Sequence, residues 1–321
     1  MSDLEKTILD YKNQLKLGID NGLKIKMLGH YHNLIIAGMG GSIVSAYLLK
    51  QLISEISPNT QKKVFIIEDF ENNNLVQFSG KDSLLVISSY SGNTQETLTI
   101  LKEALKRKFK IVVLTNGGKL QKLAAKANLD VYKIIESPSP RYSSFYLLGV
   151  FTAIFSKDLA NKLKNTRINL ELTEKQATQL TKLIKNDIIL LYHTKNTYNL
   201  SKIFELFLNE TSKNLTFNLN YPQTSHYQLN ALNYSNRKAF KALIINDYNF
   251  QISKNLKILQ NFYNNQLKIK THLINFSTNP FQKIIETLFL AQLLSYNLAI
   301  ANKINPLDIK IQELFKKELI K

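Results

Sequence analysis

The chain of 321 residues contains no cysteine. This absence excludes disulfide bonds, zinc sites with thiolate ligands and catalytic thiols, and it is consistent with a reducing cytoplasm. Long apolar runs are missing as well, since no stretch approaches the roughly eighteen apolar residues of a membrane span. The N-terminal residues MSDLEKTILDYKNQLK lack the apolar region of a secretion signal. The sequence therefore predicts a cytoplasmic protein that does not span a membrane.

Arginine is scarce, although the chain is strongly basic. The formal net charge is +18, yet only four of the 42 basic residues are arginine, and the lysines are spread along the chain beside abundant Asn and Ile. Nucleic-acid sites usually concentrate their basic residues and favour the planar guanidinium group. We therefore expect no nucleic-acid partner. The positive charge would instead help to attract an anionic metabolite.

Apolar strand-like runs alternate with helical patterns along the chain, which is typical of parallel βαβ units. The first half predicts strands at 33–38, 64–68, 84–88, 111–114 and 131–135, with a short segment near 71–78 among the connections. After a proline-marked turn, the second half predicts a helix at 143–156, strands at 187–192, 215–219, 240–245 and 269–275, and helices at 280–302 and 307–319. The predicted fold class is α/β, with two doubly wound, mainly parallel sheets flanked by helices. Length and pattern together predict two domains, 1–155 and 156–321.

A loop rich in hydroxyl groups follows the third predicted strand. In LLVISSYSGNT (84–94), the apolar run leads into Ser89, Ser91 and Thr94, with Gly92 at the turn and a predicted amphipathic helix behind it. Such a helix N-terminus offers free N–H groups and the positive end of the helix dipole to an anion. Ser and Thr also serve as ordinary helix N-caps. The pattern alone therefore leaves a phosphate site and a structural cap open.

A second loop repeats this scheme after the first predicted strand. In NLIIAGMGGSIVSAYLLKQL (33–52), Gly40 and Gly41 precede Ser42 and another predicted helix. The glycines could serve only close packing of strand and helix. Two such loops about fifty residues apart favour one phosphate ligand held at neighbouring strand ends.

Three further residues are candidates for proton transfer or anion binding. Glu210 in NETSKN and His226 in NYPQTSHYQLNAL follow strands of the second half, and a carboxylate and an imidazole can form an acid/base pair. Arg141 lies between prolines in SPSPRYSS and could bind an anion in a bidentate manner. Each of the three has a bland alternative, because polar residues in loops are usually solvated.

Metal and dinucleotide sites are weakly indicated. His30 and His32 form an H-x-H pattern, but no nearby carboxylate or cysteine completes a ligand set. The GMGGS turn also departs from the G-x-G-x-x-G pattern of dinucleotide-binding proteins. We therefore expect neither a metal ion nor an organic cofactor.

Taken in order, these motifs resemble the blocks of the bifunctional phosphoglucose/phosphomannose isomerase family, within the sugar isomerase (SIS) superfamily. The resemblance spans nearly the whole chain, and SYSGNT is its most specific block. It is carried by GMGGS (38–42), SYSGNTQET (89–97), SPRYSSFYLLG (139–149), NE (209–210) with Lys213, the segment around His226, and NPLDIKIQEL (305–314).

This resemblance implies an isomerase that interconverts glucose 6-phosphate with fructose 6-phosphate, with mannose 6-phosphate as a second candidate substrate. It implies two SIS subdomains and a homodimer in which the histidine reaches the partner subunit's site. Glu210 matches the proton-transferring base, His226 the ring-opening group and Arg141 an intermediate-stabilising position. The matching phosphate- and substrate-binding positions are Gly40, Gly41, Ser42, Ser89, Ser91 and Thr94.

The chain departs from the family pattern near its C-terminus. A functional lysine is expected directly after Leu314, yet Phe315 follows, and Lys316 comes one place later. The family's Asp-Pro is Asn305-Pro306 here, and the hydroxyl associated with mannose acceptance would fall near Asp308. Lys316 is therefore the candidate for the displaced lysine.

Two other functions fit parts of the pattern. A SIS protein that senses a sugar phosphate without catalysis would keep the phosphate loops, and the altered C-terminal block favours it somewhat. An isomerase of an amino sugar or heptose phosphate would keep the loops but not the arrangement of Glu210 and His226. The isomerase hypothesis depends on the hydroxyl groups of the first half gathering around one phosphate and so directing its sugar to the carboxylate of the second half.

Overall fold

The computed structural model of the chain describes residues 2–26, 29–69 and 75–318. Residues 71–74 of the predicted short segment near 71–78 lie outside these ranges. Within them, the chain divides into two compact units, the first formed by Met1–Arg167 with Asn279–Ile285 and the second by Ile168–Thr278 with Glu286–Lys321. The domain boundary near residue 155 stays a prediction. In this division, the helix that follows residue 155 belongs to the first unit.

The first unit is built around a five-stranded, entirely parallel sheet. Its helices and strands are α1 (Asp3–Leu9), α2 (Tyr11–Gly22), β1 (Asn33–Gly38), α3 (Val44–Ile56), β2 (Lys63–Ile67), β3 (Ser83–Ser89), α4 (Gln95–Lys106), β4 (Lys110–Thr115), α5 (Gly118–Lys126), β5 (Val131–Tyr132), α6 (Ser144–Phe155) and α7 (Lys157–Asn165). The strand order is β2-β1-β3-β4-β5. Strands β1 and β3 pair from Asn33 with Ser83 to Gly38 with Ser88, so their carboxyl ends lie side by side.

Alternation along these strands buries both faces of the sheet. Leu34, Ile36, Leu84 and Val86 face one apolar cluster, which includes residues of α3 and α6. Ile35, Ala37, Leu85 and Ile87 face the other cluster, which α4 and α5 cover. Strands buried on both faces read as continuous apolar runs, and this is why their sequence predicts them well.

The second unit repeats the architecture with four parallel strands. Its elements, together with one helix shared with the first unit, are α8 (Leu170–Ile184), β6 (Ile188–His193), α9 (Tyr198–Phe207), β7 (Thr216–Asn220), α10 (Ser225–Tyr234), β8 (Phe240–Ile245), α11 (Phe250–Phe262), β9 (Thr271–Ile274), α12 (Pro280–Ala301) and α13 (Lys310–Glu318). The strand order is β7-β6-β8-β9. The predicted fold class, α/β with two doubly wound parallel sheets, is confirmed.

Helix α12 is long and apolar enough to cross a membrane by length and composition alone. However, 72% of its most apolar window is buried inside the protein. Leu288, Phe289 and Leu294 are fully buried. A helix that is apolar on all sides is also what the core of a large soluble protein requires, so α12 fits a core helix.

Candidate active site

The two loops predicted to bind phosphate lie at the carboxyl ends of neighbouring strands. GMGGS follows β1 and SYSGNT follows β3, at the point where the strand order of the first sheet reverses direction. In open α/β sheets, ligands bind at this switch point because two loops diverge there and leave a crevice. A hydrogen bond joins the two loops directly, since the Tyr90 N–H donates to Ser42 Oγ at 3.2 Å.

Hydrogen bonds among the hydroxyl groups define the shape of the second loop. Ser89 Oγ lies 3.1 Å from Thr94 Oγ1 and accepts the N–H of Gly92 at 3.2 Å. Thr94 is the N-cap of α4, but its hydroxyl pairs with Ser89 rather than with the first turn of the helix. Among the described residues, the first N–H groups of α4 thus remain available to an anion. Ser89 is buried and Ser91 is exposed.

Gly92 is required by its surroundings. Its φ is +65°, and a Cβ atom built there would lie 1.8 Å from the carbonyl oxygen of Gly117. The Gly92 carbonyl also accepts the N–H of Leu120 at 2.8 Å, at the start of α5. The loop therefore rests on the turn that follows β4. Sequence reasoning missed this supporting turn, although its two consecutive glycines after an apolar strand were a usable signal.

Arg141 is fully buried and lies against the first glycine loop. It belongs to a short 3-10 helix, Pro140–Ser143, and its Nη1 donates to Ser139 Oγ at 2.6 Å. A Cβ atom on Gly41 would lie 2.5 Å from the Arg141 backbone nitrogen, so the two backbones touch. The alternative of a solvated surface arginine is therefore wrong. The structure brings Arg141 together with Gly41.

Tyr90, which sequence analysis did not select, connects the hydroxyl loop to the segment before Arg141. Its backbone N–H donates to Ser42, while its hydroxyl donates to the Ser137 carbonyl at 3.2 Å and accepts the Ser137 N–H at 3.0 Å. Tyr90 thus connects the GMGGS loop, the SYSGNT loop and the segment before Arg141. An aromatic residue between two serines gives no sequence signal for such a role.

Glu210 lies in a π-helical turn, Leu208–Ser212, which continues α9 before β7 begins. The residue is half-buried. Lys213 ends the turn in the left-handed conformation, with φ of 58°. Its ammonium group donates to the Glu210 carbonyl and, at 2.5 Å, to the Asp308 carbonyl. The lysine thereby connects the turn that carries Glu210 to the segment before α13.

His226 is exposed near the N-terminus of α10, beyond the carboxyl end of β7. Glu210 precedes the amino end of the same strand. Because β7 has five residues and a strand rises about 3.3 Å per residue, its amino and carboxyl ends are about 16 Å apart. The length of β7 therefore lies between the turn that carries Glu210 and the helix that carries His226.

Lys316 is exposed on α13. Asp308 precedes the helix, and its Oδ1 accepts the N–H of Lys310, the first residue of α13, at 3.0 Å. Lys213 is a lysine that contacts the backbone of Glu210.

His193, which sequence analysis passed over, ends β6 in the second unit and is buried. Burial lowers the pKa of its imidazole, because desolvation penalises the charged form more than the hydrogen bond to the Thr194 carbonyl favours it.

Comparison with known proteins agrees with this architecture. The SIS domain model matches residues 27–156, and the model of the bacterial phospho-glucose isomerase C-terminal SIS domain matches residues 173–319. The tagatose-6-phosphate ketose/aldose isomerase of Escherichia coli superimposes with a TM-score of 0.65 at 12% identity, covering 95% of this chain and 94% of that chain. At this identity, the likeness shows the fold alone.

Relatives at the sequence level are more specific. The bifunctional phosphoglucose/phosphomannose isomerase of Aquifex aeolicus is 26% identical, covering 92% of this chain and 93% of the relative. The enzyme of the same description from Thermoplasma volcanium is 24% identical, covering 97% and 98% of the two chains. These matches run through both units, as do the two domain models. The chain is thus similar to bifunctional phosphoglucose/phosphomannose isomerases along most of its length, and each of its two units matches a SIS domain model.

Proposed function

We propose that this protein is an aldose–ketose isomerase that interconverts glucose 6-phosphate and fructose 6-phosphate. The observation that carries the proposal is the pair of glycine and hydroxyl loops at the adjacent carboxyl ends of β1 and β3, with the buried Arg141 packed against one of them. The family supplies the reaction class, since relatives that match along almost the whole chain are phosphoglucose/phosphomannose isomerases.

The phosphate group is assigned to the loops of the first unit. Ser42, Ser89, Ser91 and Thr94 supply hydroxyl donors, and the N-terminus of α4 supplies N–H groups and a favourable dipole. Gly40 and Gly41 allow the backbone to approach the ligand closely. Binding energy from the phosphate, which does not react, is used to orient the carbon atoms that do.

Proton transfer is assigned to Glu210. Its carboxylate removes the proton from C2 of the open-chain aldose and returns a proton to C1 of the resulting cis-enediol, which gives the ketose. Arg141 stabilises the negative charge that develops on the enediol oxygens. His226 assists ring opening by moving a proton between O1 and O5. None of these steps calls for a metal ion or an organic cofactor.

We propose that the enzyme works as a homodimer and that His226 of the partner subunit serves the site of Glu210. The support is that β7, which is about 16 Å long, lies between the turn that carries Glu210 and the helix that carries His226 in one chain. A proton relay needs its groups within hydrogen-bond distance of one sugar. A second copy can supply the histidine without any change in the fold. For Lys316, we propose only that it is the displaced family lysine.

The cytoplasm is the proposed location, because sugar phosphates are substrates of intracellular metabolism and the chain contains no cysteine.

The test of the proposed function is a product assay with fructose 6-phosphate. Glucose 6-phosphate is followed by coupled oxidation with a dehydrogenase, and mannose 6-phosphate is separated by chromatography in the same reaction. Formation of glucose 6-phosphate supports the proposal. Formation of mannose 6-phosphate would show phosphomannose isomerase activity as well. Unphosphorylated fructose is the control and should give no product. Tight binding of fructose 6-phosphate without any product would contradict the proposal and favour the non-catalytic sensor.

A further inference from the structure

The second unit contains the same local structure twice. Helix α9 continues into the π turn Leu208–Ser212 and ends at Lys213, whose φ is 58°. Helix α11 continues into the π turn Tyr263–Leu267 and ends at Lys268, whose φ is 57°. Each residue of the second copy lies 55 positions after its counterpart, as with Leu208 and Tyr263. We name these the Glu210 turn (Leu208–Lys213) and the Asn265 turn (Tyr263–Lys268).

An asparagine clamps each turn to the strand that follows it. In the Glu210 turn, Asn209 Oδ1 accepts the Thr216 N–H at 3.1 Å and Asn209 Nδ2 donates to the Thr216 carbonyl at 3.3 Å. In the Asn265 turn, Asn264 makes the same pair with Thr271, at 2.9 and 3.4 Å. In both turns, the side-chain amide of the asparagine thus pairs with the backbone of the first residue of an edge strand, as the backbone of a neighbouring strand would. The shared sequence is N-x-x-x-K-x-x-T.

The two turns differ at the residue after the asparagine. The Glu210 turn has a half-buried glutamate there, whereas the Asn265 turn has an exposed asparagine. Asn209 Nδ2 also donates to the Glu205 carbonyl at 2.9 Å, one turn earlier in α9. Asn209 is therefore held on both sides, by its own helix and by β7. The backbone of Glu210 is one peptide bond away.

We infer that Asn209 is a positioning residue for Glu210. It fixes the π turn against β7 and so fixes the direction in which the Glu210 carboxylate leaves the backbone. This inference rests on the proposed function, in which Glu210 transfers the proton. A misplacement of a catalytic group by about 1 Å can cost roughly a hundredfold in rate, because the reacting geometry is lost while binding at a distant phosphate is kept.

The Asn265 turn supplies an internal control. Asn209→Ala and Asn264→Ala remove the same two bonds to the following strand, but only the first is next to a residue with an assigned chemical role. In the full-length protein, we expect both variants to lower the urea midpoint, and Asn209→Ala to lower it more, because it also loses the hydrogen bond to the Glu205 carbonyl. Asn209→Ala should lower kcat by about tenfold to a hundredfold with KM for fructose 6-phosphate within about twofold. Asn264→Ala should keep kcat within about twofold.

Two results would overturn the inference. Asn209→Ala with kcat close to that of the unmodified protein would show that Glu210 needs no such support. Equal losses of kcat in both variants would show a general loosening of the unit. If an alanine variant does not fold, Asn209→Ser and Asn264→Ser, which leave a hydroxyl beside the strand, are compared by the same criteria. Failure of the proposed function is separate, because the unmodified protein would then form no glucose 6-phosphate at all.

Discussion

Exchange of subunits between two inactive variants should restore activity if His226 acts across a dimer. Glu210→Gln and His226→Asn each remove one proton-transfer group, and each homodimer should keep no more than about 1% of kcat, since such groups contribute roughly a hundredfold or more. In a heterodimer with one copy of each variant, one site combines Glu210 with His226 and the other has neither residue. One of two sites is then intact, and we expect about half of the kcat per dimer of the unmodified protein.

The assay uses two affinity tags on co-expressed chains, so that only heterodimers survive tandem purification. Glucose 6-phosphate formation from fructose 6-phosphate is measured for each preparation. The matched control pairs an unmodified copy with a copy that carries both substitutions. In this control, each site lacks one of the two residues, and its activity should be about as low as that of the single-variant homodimers.

The reverse pattern would refute the reasoning. If Glu210 and His226 of the same chain acted together, the mixed heterodimer would stay inactive and the control would have about half of the activity. The length of β7, about 16 Å, favours the pattern in which the mixed heterodimer is active and the control is not. A preparation that elutes as a monomer with full activity would also contradict the proposal.

Three further predictions concern stability and packing. Lys213 and Lys268 both have the left-handed backbone conformation, which costs a non-glycine residue about 1 kcal/mol, so a glycine at either position removes this strain. Only Lys213→Gly also loses the hydrogen bonds of the ammonium group to the Glu210 and Asp308 carbonyls. Urea unfolding should therefore show Lys213→Gly to be less stable than Lys268→Gly, and equal stability would refute the role of these bonds. Gly41→Ala should lower the free energy of unfolding by about 1–3 kcal/mol through overpacking against Arg141, and an unchanged urea midpoint would contradict the close contact. Burial lowers the pKa of His193 in the folded protein. Its contribution to stability is therefore full above the pKa of about 6.5 in the unfolded chain, and it is lost as the pH falls below that value toward the lowered pKa. Between pH 7.5 and 5.5, the urea midpoint of His193→Gln should fall less than that of the unmodified protein, and equal decreases would refute the assignment.

The strands were predictable because each one is a short apolar run bounded by polar turns. Strand β8 covers Phe240–Ile245 as predicted from its sequence, and β6 is displaced by one residue from its predicted range. The edge strand β5 was less well predicted, since it has only two residues, Val131 and Tyr132, against a predicted range of 131–135. A central strand is specified by its own burial. The length of an edge strand depends on how many of its residues pair with the neighbouring strand.

The two loops that are predicted to bind phosphate could be placed at strand ends from the sequence, because hydroxyl groups and glycines follow two apolar runs at the same relative position. Their mutual contact through Ser42 and Tyr90 could not be predicted, because it depends on β1 and β3 being neighbours. Nor could the burial of Arg141, since only the fold places its backbone against Gly41. Stabilisation of the intermediate by Arg141 stays a prediction from the resemblance.

The π turns were beyond prediction from local preferences. Lysine occupies the left-handed position in both, where glycine or asparagine is usual. Two hydrogen bonds between the Asn209 side chain and the Thr216 backbone hold the Glu210 turn, and a propensity scale does not include them. The repeated N-x-x-x-K-x-x-T pattern was nevertheless present in the sequence and would have identified the two turns as equivalent.

We propose above all that the Glu210 carboxylate transfers the proton during sugar-phosphate isomerisation. Its most direct test is kcat for fructose 6-phosphate in Glu210→Gln, which keeps the size of the side chain and removes the base. Glu205→Gln is the matched control, because it makes the same change in α9, where the carboxylate pairs with Lys202 at 2.8 Å. We expect Glu210→Gln to lose about a hundredfold or more in kcat with KM nearly unchanged, and the control to keep its kcat within about twofold. Turnover by Glu210→Gln at the rate of the unmodified protein would contradict it.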